Sequence, residues 1–200
     1  MKDTKKSIVG GLNECNYHWG CVDALGKDTQ ISFIEKEFEK RSKAVHIVHY
    51  SNIKLDSNDD IKIASQIRYR EMFKLMSSVP ENNVLIFNRA HLGETVYSPM
   101  YRNYNGDFVF DFEKDYVRRE HPETKLIVFT DTPEAVIERD KKRGDGLSFS
   151  LDIDKKKQEL EAFERAYNMS CLDKKLIHLN GRTPEQIWKE DVYPFIFGAQ

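Results

Sequence analysis

No stretch of the chain approaches the roughly 20 consecutive apolar residues that a membrane-crossing helix needs. The opening Met1-Lys2-Asp3-Thr4-Lys5-Lys6 is not followed by the apolar core of a signal peptide. Both absences point to a cytoplasmic protein with no membrane partner. Cysteine is scarce: Cys15, Cys21 and Cys171 make three, an odd count without metal-ligand spacing, which suits reduced thiols. An excess of charge of one sign is missing as well. A net charge of −2 argues against a protein held on nucleic acid by bulk electrostatics. The basic runs Lys141-Lys142-Arg143 and Lys155-Lys156-Lys157 read most simply as solvated helix faces, with a local basic groove as the alternative. No repeat, low-complexity segment or linker interrupts the sequence.

What is there is an ordinary globular mixture, 40% apolar and 32% charged, in 200 residues. That length suits one domain, 1–200, with room for a three-layer core. Short apolar runs alternate with longer periodic stretches, the pattern of βαβ units and a parallel sheet. Strands are expected at 17–22, 45–50, 84–87, 126–129 and 176–179. The run Val84-Leu85-Ile86-Phe87 has no polar interruption, as in a central strand covered on both faces. The first helix carries Ile31, Ile34 and Phe38 on one face. A long helix over 59–78 is expected to bury Ile61, Ala64, Ile67, Met72 and Leu75. Thr132-Pro133-Glu134 opens another with a capping hydroxyl, a first-turn proline and an acid near the positive end; Gly144 marks its stop. A helix over 154–168 turns Leu160, Phe163 and Tyr167 inward. Thr183-Pro184-Glu185-Gln186 reads as a capping box. The stretch 89–120, rich in aromatics and broken by Pro99 and Asn105-Gly106, yields no clear element from its pattern.

The strongest chemical signal is Asp23-Ala24-Leu25-Gly26-Lys27-Asp28-Thr29, set between a strand and a helix. Backbone N–H groups at a helix N-terminus point at a bound anion, and the helix dipole favours negative charge there. A lysine at that turn reaches the β- and γ-phosphates of a nucleotide. Against G-x-x-x-x-G-K-[ST], Cys21 stands at the first glycine position and Asp28 replaces the hydroxyl residue that meets Mg²⁺. Carboxylate oxygen is a good ligand for that hard ion, so Asp28 is the candidate metal ligand. The bland reading is a glycine turn followed by a surface lysine.

The longer string Cys21-Val22-Asp23-Ala24-Leu25-Gly26-Lys27-Asp28-Thr29-Gln30 resembles the thymidylate kinase family, and its G-K-D-T variant resembles some viral deoxynucleoside monophosphate kinases. Segments 84–89 with Tyr97, 132–144 and 161–167 resemble the family in the same order. His91-Leu92-Gly93-Glu94-Thr95-Val96-Tyr97 is similar to phage-type relatives. The resemblance implies a three-layer α/β/α P-loop kinase fold with a five-stranded parallel sheet and a helical lid near 139–156. It also implies ATP and Mg²⁺, nucleotide substrates and a homodimer, in a host cytoplasm if the source is viral. Lys27, Arg89, Arg139 and Arg143 are then the catalytic cations. Ala24, Leu25, Gly26, Lys27, Asp28, Thr29 and Arg143 hold ATP. Asp23, Arg68, Arg89, Glu94, Tyr97 and Arg102 line the acceptor cleft. Arginine suits such work because its planar fork pairs with phosphate oxygens.

The chain also departs from the family. Asn88 stands where the family has a strand-end acid, and Ala64 where it has a base-stacking aromatic. His49-Tyr50-Ser51-Asn52-Ile53-Lys54 lacks the arginine that grips the acceptor phosphate there. The expected reaction is phosphoryl transfer from ATP to a deoxynucleoside monophosphate, thymidylate or a related or modified pyrimidine nucleotide. The alternatives are a P-loop kinase acting on a modified base in DNA and a degenerate, non-catalytic nucleotide-binding protein. Each singled-out residue also has a structural reading: Arg89 in an ion pair, Arg139 and Arg143 as helix-end cations, His91 as a hydrogen-bonded core residue. Phe108, Phe110 and Phe112 read as packing.

Overall fold

The computed structural model describes residues 16–21, 25–80, 82–117, 124–143 and 150–198. The strands are β1 (Asn16–Cys21), β2 (Ala44–His49), β3 (Asn83–Asn88), β4 (Lys125–Thr130) and β5 (Asp173–His178). They form one sheet in the order β2-β3-β1-β4-β5, with every pairing parallel. The unbroken apolar run is indeed a covered strand: Val84, Leu85, Ile86 and Phe87 are all buried. So are Leu126, Ile127, Val128 and Phe129 of β4. β2 lies at one edge, and Ile47 on it is exposed.

The helices are α1 (Lys27–Lys40), α2 (Asn58–Met76), α3 (Leu92–Tyr101), α4 (Val109–Val117), α5 (Pro133–Arg143) and α6 (Ile153–Met169). The C-terminal segment runs through α7 (Pro184–Ile187), a π-helical turn (Trp188–Val192) and α8 (Tyr193–Phe197). Parallel crossovers are right-handed, so the direction of each connection fixes the face of its helix. From β1 the chain moves outward to β2; from β2 to β3, β3 to β4 and β4 to β5 it moves the other way. α1 therefore covers one face and α2–α6 the other. The side-chain contacts agree. α1 buries Ile31, Ile34 and Phe38. Phe38 meets Phe197 at 4.9 Å between ring centres, and Gln30 donates from Nε2 to the Pro184 carbonyl at 2.8 Å.

The capping signals in the sequence translate directly. The Thr132 hydroxyl accepts from the Ala135 N–H at 3.3 Å at the start of α5. Asp152 caps α6 through the Lys155 N–H. At Thr183 and Gln186 both halves of the capping box are made. Arg143 ends α5, while the stop assigned to Gly144 lies outside the described residues.

The buried stripe of α2 differs from expectation. Ile61, Ser65, Tyr69, Met72, Phe73 and Met76 face inward. Ile67 and Leu75 are exposed, at 56% and 47%. Apolar residues occupy more than one side of this helix, so hydrophobicity alone does not fix its rotation. Tyr69 and Phe73 supply the larger surfaces, and Ser65 is small enough to let the helix sit close.

Within the aromatic stretch 89–120 the described residues form two helices, α3 and α4, joined by a turn. α3 carries Pro99 in its last turn, where proline lacks the N–H that would bond the Thr95 carbonyl, and the helix ends two residues later at Tyr101. Between α3 and α4 the chain folds back so tightly that a Cβ on Gly106 would lie 2.3 Å from the Glu94 carbonyl oxygen. Only glycine fits there. Phe110 is buried and Phe108 and Phe112 partly so, packing residues on α4 and, for Phe108, in the turn just before it.

Candidate active site

β1 and β3 are neighbours whose onward connections leave in opposite directions. That makes the crevice between their carboxyl ends the topological switch point, where ligands collect in open α/β sheets. Both segments singled out by sequence arrive there. After β1, Gly26 adopts φ +76° as the N-cap of α1, a left-handed conformation that costs glycine little. A Cβ at Gly26 would meet no atom within 4 Å, so the requirement is conformational rather than steric. Lys27 is the first helical residue and only 5% exposed. Its side chain is thus folded into the turn rather than extended into solvent, unlike the surface lysine of the bland reading. Leu25 is buried beside it and anchors the turn to the core, while Asp28 and Thr29 are exposed on the first turn of α1. Asp23 and Ala24 lie outside the described residues.

After β3 the chain turns sharply. Arg89 has φ +67°, a conformation that costs a non-glycine residue about 1 kcal/mol. Such strain tends to persist where function requires a particular side-chain direction. Just before it, Asn88 is 7% exposed, paired in register with Trp19 of β1 and His49 of β2. Its Nδ2 donates to Asp28 Oδ1 at 2.6 Å. This bond ties the first turn of α1 to the end of β3. The carboxylate can only accept when ionised, so the amide must present its N–H side to Asp28. Asn88 Oδ1 is left buried without a hydrogen-bond partner. These oxygens suit a hard divalent cation. Among the described residues no group of three His, Cys, Asp or Glu side chains forms a metal cage of its own. Mg²⁺ bound with a nucleotide needs none, because phosphates and waters supply most of its shell.

The remaining candidates are held by protein partners. Arg68 donates to the Ser51 carbonyl at 2.7 Å and stacks over Tyr50, pinning the loop after β2. Glu94 is buried and accepts from Ser98 Oγ at 2.8 Å and from the Tyr104 hydroxyl; Arg102 lies 3.3 Å from its other oxygen. Two expected acceptor residues, Glu94 and Arg102, are thus brought together as an ion pair. Tyr97 donates to Glu159 of α6 at 2.6 Å. Glu159 in turn meets Lys156, itself 3.6 Å from Asp140. Arg143 lies 3.4 Å from Asp140, and Arg139 3.8 Å from Asp131. Both arginines sit on α5 beside the segment 144–149, which lies outside the described residues.

His91 is fully buried, 2.6 Å from Glu113 of α4. Burial alone would raise the Glu113 carboxyl. Hydrogen bonds from His91, the Cys171 N–H and Ser170 Oγ outweigh it and hold the pKa at about 2. Desolvation and the Glu113 charge push the Cys171 thiol up to about 11, which leaves it unreactive.

The sequence reading did not single out a cleft of about 460 Å³ at the carboxyl ends of β4 and β5. Thr130, Asp131, Pro133, Leu160, His178 and Asn180 line it. Its one legible signal was Asn180-Gly181 directly after an apolar run, a turn dipeptide, and both residues have positive φ.

No protein-family model and no curated protein sequence matches the chain. Solved structures do. The YorR protein from Bacillus subtilis, in complex with phosphorylated GDP, superposes with a TM-score of 0.64 at 16% identity, over 89% of this chain and 94% of that one. A deoxyadenosine kinase from M. mycoides, with dCMP and dCDP bound, gives 0.57 at 13% identity, over 88% and 96%. Polyphosphate kinase 2 from Arthrobacter aurescens gives 0.56 at 12% identity, over 84% of this chain and 62% of that one. At such identities the likeness carries the architecture alone, and that architecture is the α/β fold of P-loop kinases.

Proposed function

We propose that the protein is an Mg²⁺-dependent kinase that transfers the γ-phosphoryl group of ATP to a deoxynucleoside monophosphate. The observation that carries this reading is the buried Lys27 beside the left-handed Gly26 at the start of α1, opposite Asn88 and Arg89 at the end of β3. The solved neighbours support it by fold, and two of them are named as kinases. The acceptor class rests on the likeness of Cys21 to Gln30 and of segments 84–89 with Tyr97, 132–144 and 161–167 to thymidylate kinases.

An acceptor phosphate oxygen attacks the γ-phosphorus, the bond from that phosphorus to the β–γ bridging oxygen breaks, and ADP leaves with the electron pair. The acceptor is already ionised, so no general base is needed, consistent with His91 being locked to Glu113. What the chain supplies is alignment and positive charge around the moving group. The α1 N-terminus and Lys27 hold the β- and γ-phosphates. Arg89 meets the transferring or acceptor phosphate. Arg139 and Arg143 approach ATP from the lid. Asp28 would hold Mg²⁺, which would supply neutralising positive charge beside the polyphosphate. Asp23 meets the acceptor sugar, and Arg68, Glu94, Tyr97 and Arg102 shape the acceptor cleft, Glu94 and Arg102 through their ion pair.

ADP release from ATP and a panel of common and modified deoxynucleoside monophosphates tests this. Turnover should require Mg²⁺ and fall about 10²- to 10³-fold in Lys27→Ala. No ADP above background with any free nucleotide overturns the reading. Labelled phosphate appearing in DNA but not in free nucleotide would replace the acceptor class. A homodimer belongs to the same proposal, and the exposed Ile63 and Ile67 on α2 offer it an apolar face.

A further inference from the structure

Within P-loop enzymes the residue after the lysine presents a neutral hydroxyl to Mg²⁺, and an aspartate from a neighbouring strand end supplies the negative charge. This chain has the opposite charges at the two places: Asp28 follows Lys27, and Asn88 ends β3. Either change alone would alter the charge beside the triphosphate by one unit. Asp28 alone would add an anion facing anionic phosphates, and Asn88 alone would remove the anion that faces the metal. Together they leave the sum unchanged.

The structure couples the two positions. Asn88 Nδ2 donates to Asp28 Oδ1 at 2.6 Å across the crevice between α1 and β3. The donor side of the amide is thereby committed, and Oδ1, buried without a partner, is the arm left for a ligand. A purely structural cross-link would not need a buried acceptor beside an exposed carboxylate at a switch point. We propose that Asp28 and Asn88 form one metal-facing pair with exchanged charges: Asp28 is the anionic ligand, and Asn88 orients its carboxylate and offers Oδ1 to the metal's waters. This rests on the kinase reading above and adds to it that the two departures compensate each other, so the altered loop is a working variant rather than a decayed one.

Mn²⁺ serves as the probe, its binding to the protein–ADP complex followed by electron paramagnetic resonance. Asp28→Asn should weaken Mn²⁺ binding by about 10- to 100-fold. Asn88→Asp alone sets two carboxylates at hydrogen-bond distance and should weaken metal-free ADP binding by about 10-fold. The exchange of both, Asp28→Asn with Asn88→Asp, keeps the bond and the net charge and should return Mn²⁺ affinity to within about 3-fold of the parent. Effects that simply add on a logarithmic scale overturn the pairing while leaving the kinase reading intact. Failure of the unaltered protein to bind Mn²⁺ with ADP overturns both. Should Asn88→Asp not fold, Asp28→Asn decides alone, and unchanged Mn²⁺ affinity there overturns the proposal.

Discussion

Asn88 and His91 are three residues apart on the way out of β3, and both are buried. His91 Nε2 meets Glu113, whose two oxygens also receive Ser170 Oγ and the Cys171 N–H. Among the described residues the Asn88 side chain bonds once, to an exposed aspartate, and leaves its Oδ1 unmatched. The same contrast holds more widely. Behind the sheet, Glu94 with Arg102, Tyr104 and Ser98, and Glu159 with Tyr97 and Lys156, close on one another. A buried polar network that satisfies itself fixes how helices pack, because any rearrangement leaves a desolvated group unpaired. A buried acceptor left open at a strand end does not serve packing, and it is the better pointer to a ligand. Position in the sequence therefore says less about role than whether a polar group's partners lie within the protein.

The largest effect that would sharpen this contrast is expected at Glu113. Glu113→Ala strands His91, Ser170 Oγ and the Cys171 N–H in the interior, and breaking such a buried pair costs about 3–5 kcal/mol. Urea denaturation measures it; a loss under about 1 kcal/mol would mean the cluster does not organise the fold. The carboxyl has the same signature in acid. Its folded pKa of about 2 lies below the ordinary carboxyl value of 4.5, so the stabilisation is present above that higher value and is lost as pH falls from about 4.5 towards 2. In Glu113→Ala that stretch of the stability–pH curve should flatten.

Next comes Lys27, with the opposite division. Lys27→Ala should lower kcat by about 10²- to 10³-fold while shifting unfolding free energy by no more than about 1 kcal/mol. A destabilisation comparable to that at Glu113 would assign the buried ammonium to the fold instead of to phosphates.

Tyr97 tests the boundary between the regions. The sequence expectation places it on the acceptor, while its hydroxyl bonds Glu159 and its ring stands edge-on to Phe163. Tyr97→Phe should cost about 1.5 kcal/mol of stability, the scale of a hydrogen bond to a charged group. With no direct acceptor contact, acceptor KM stays within about 2-fold. A rise in KM with unchanged stability would instead give the Tyr97 hydroxyl a direct contact with the acceptor.

These cases show what the sequence made legible. Strand runs without polar interruption, a Thr-Pro-Glu helix start and the Gly-Lys turn encode local backbone demands, and each appears at its expected place. The coupling of Asp28 to Asn88 joins positions 60 residues apart, so no local pattern could reveal it. The helices of 89–120 stayed hidden because Pro99, Gly106 and the aromatics are each poor helix signals; tertiary packing against α2 and α6 overrides them. For Glu94, Tyr97 and Arg102 the residue types fitted a cleft, but their partners are set by the fold.

The smallest effect on folding is expected where periodicity misjudged α2. Periodicity places Ile67 inward, yet it lies 56% exposed, nearly opposite the buried row of Ile61, Ser65, Tyr69 and Met72. Ile67→Lys removes no core contact and keeps a good helix former, so the unfolding free energy of a monomer should change by less than about 0.5 kcal/mol. If two copies of the chain meet on this face, the same change buries a charge without a partner, and sedimentation equilibrium should show the dimer weakened by about 10-fold or more. Unchanged association would place the dimer contact elsewhere. A large loss of monomer stability would restore Ile67 to the core and reverse the assignment of this helix's faces.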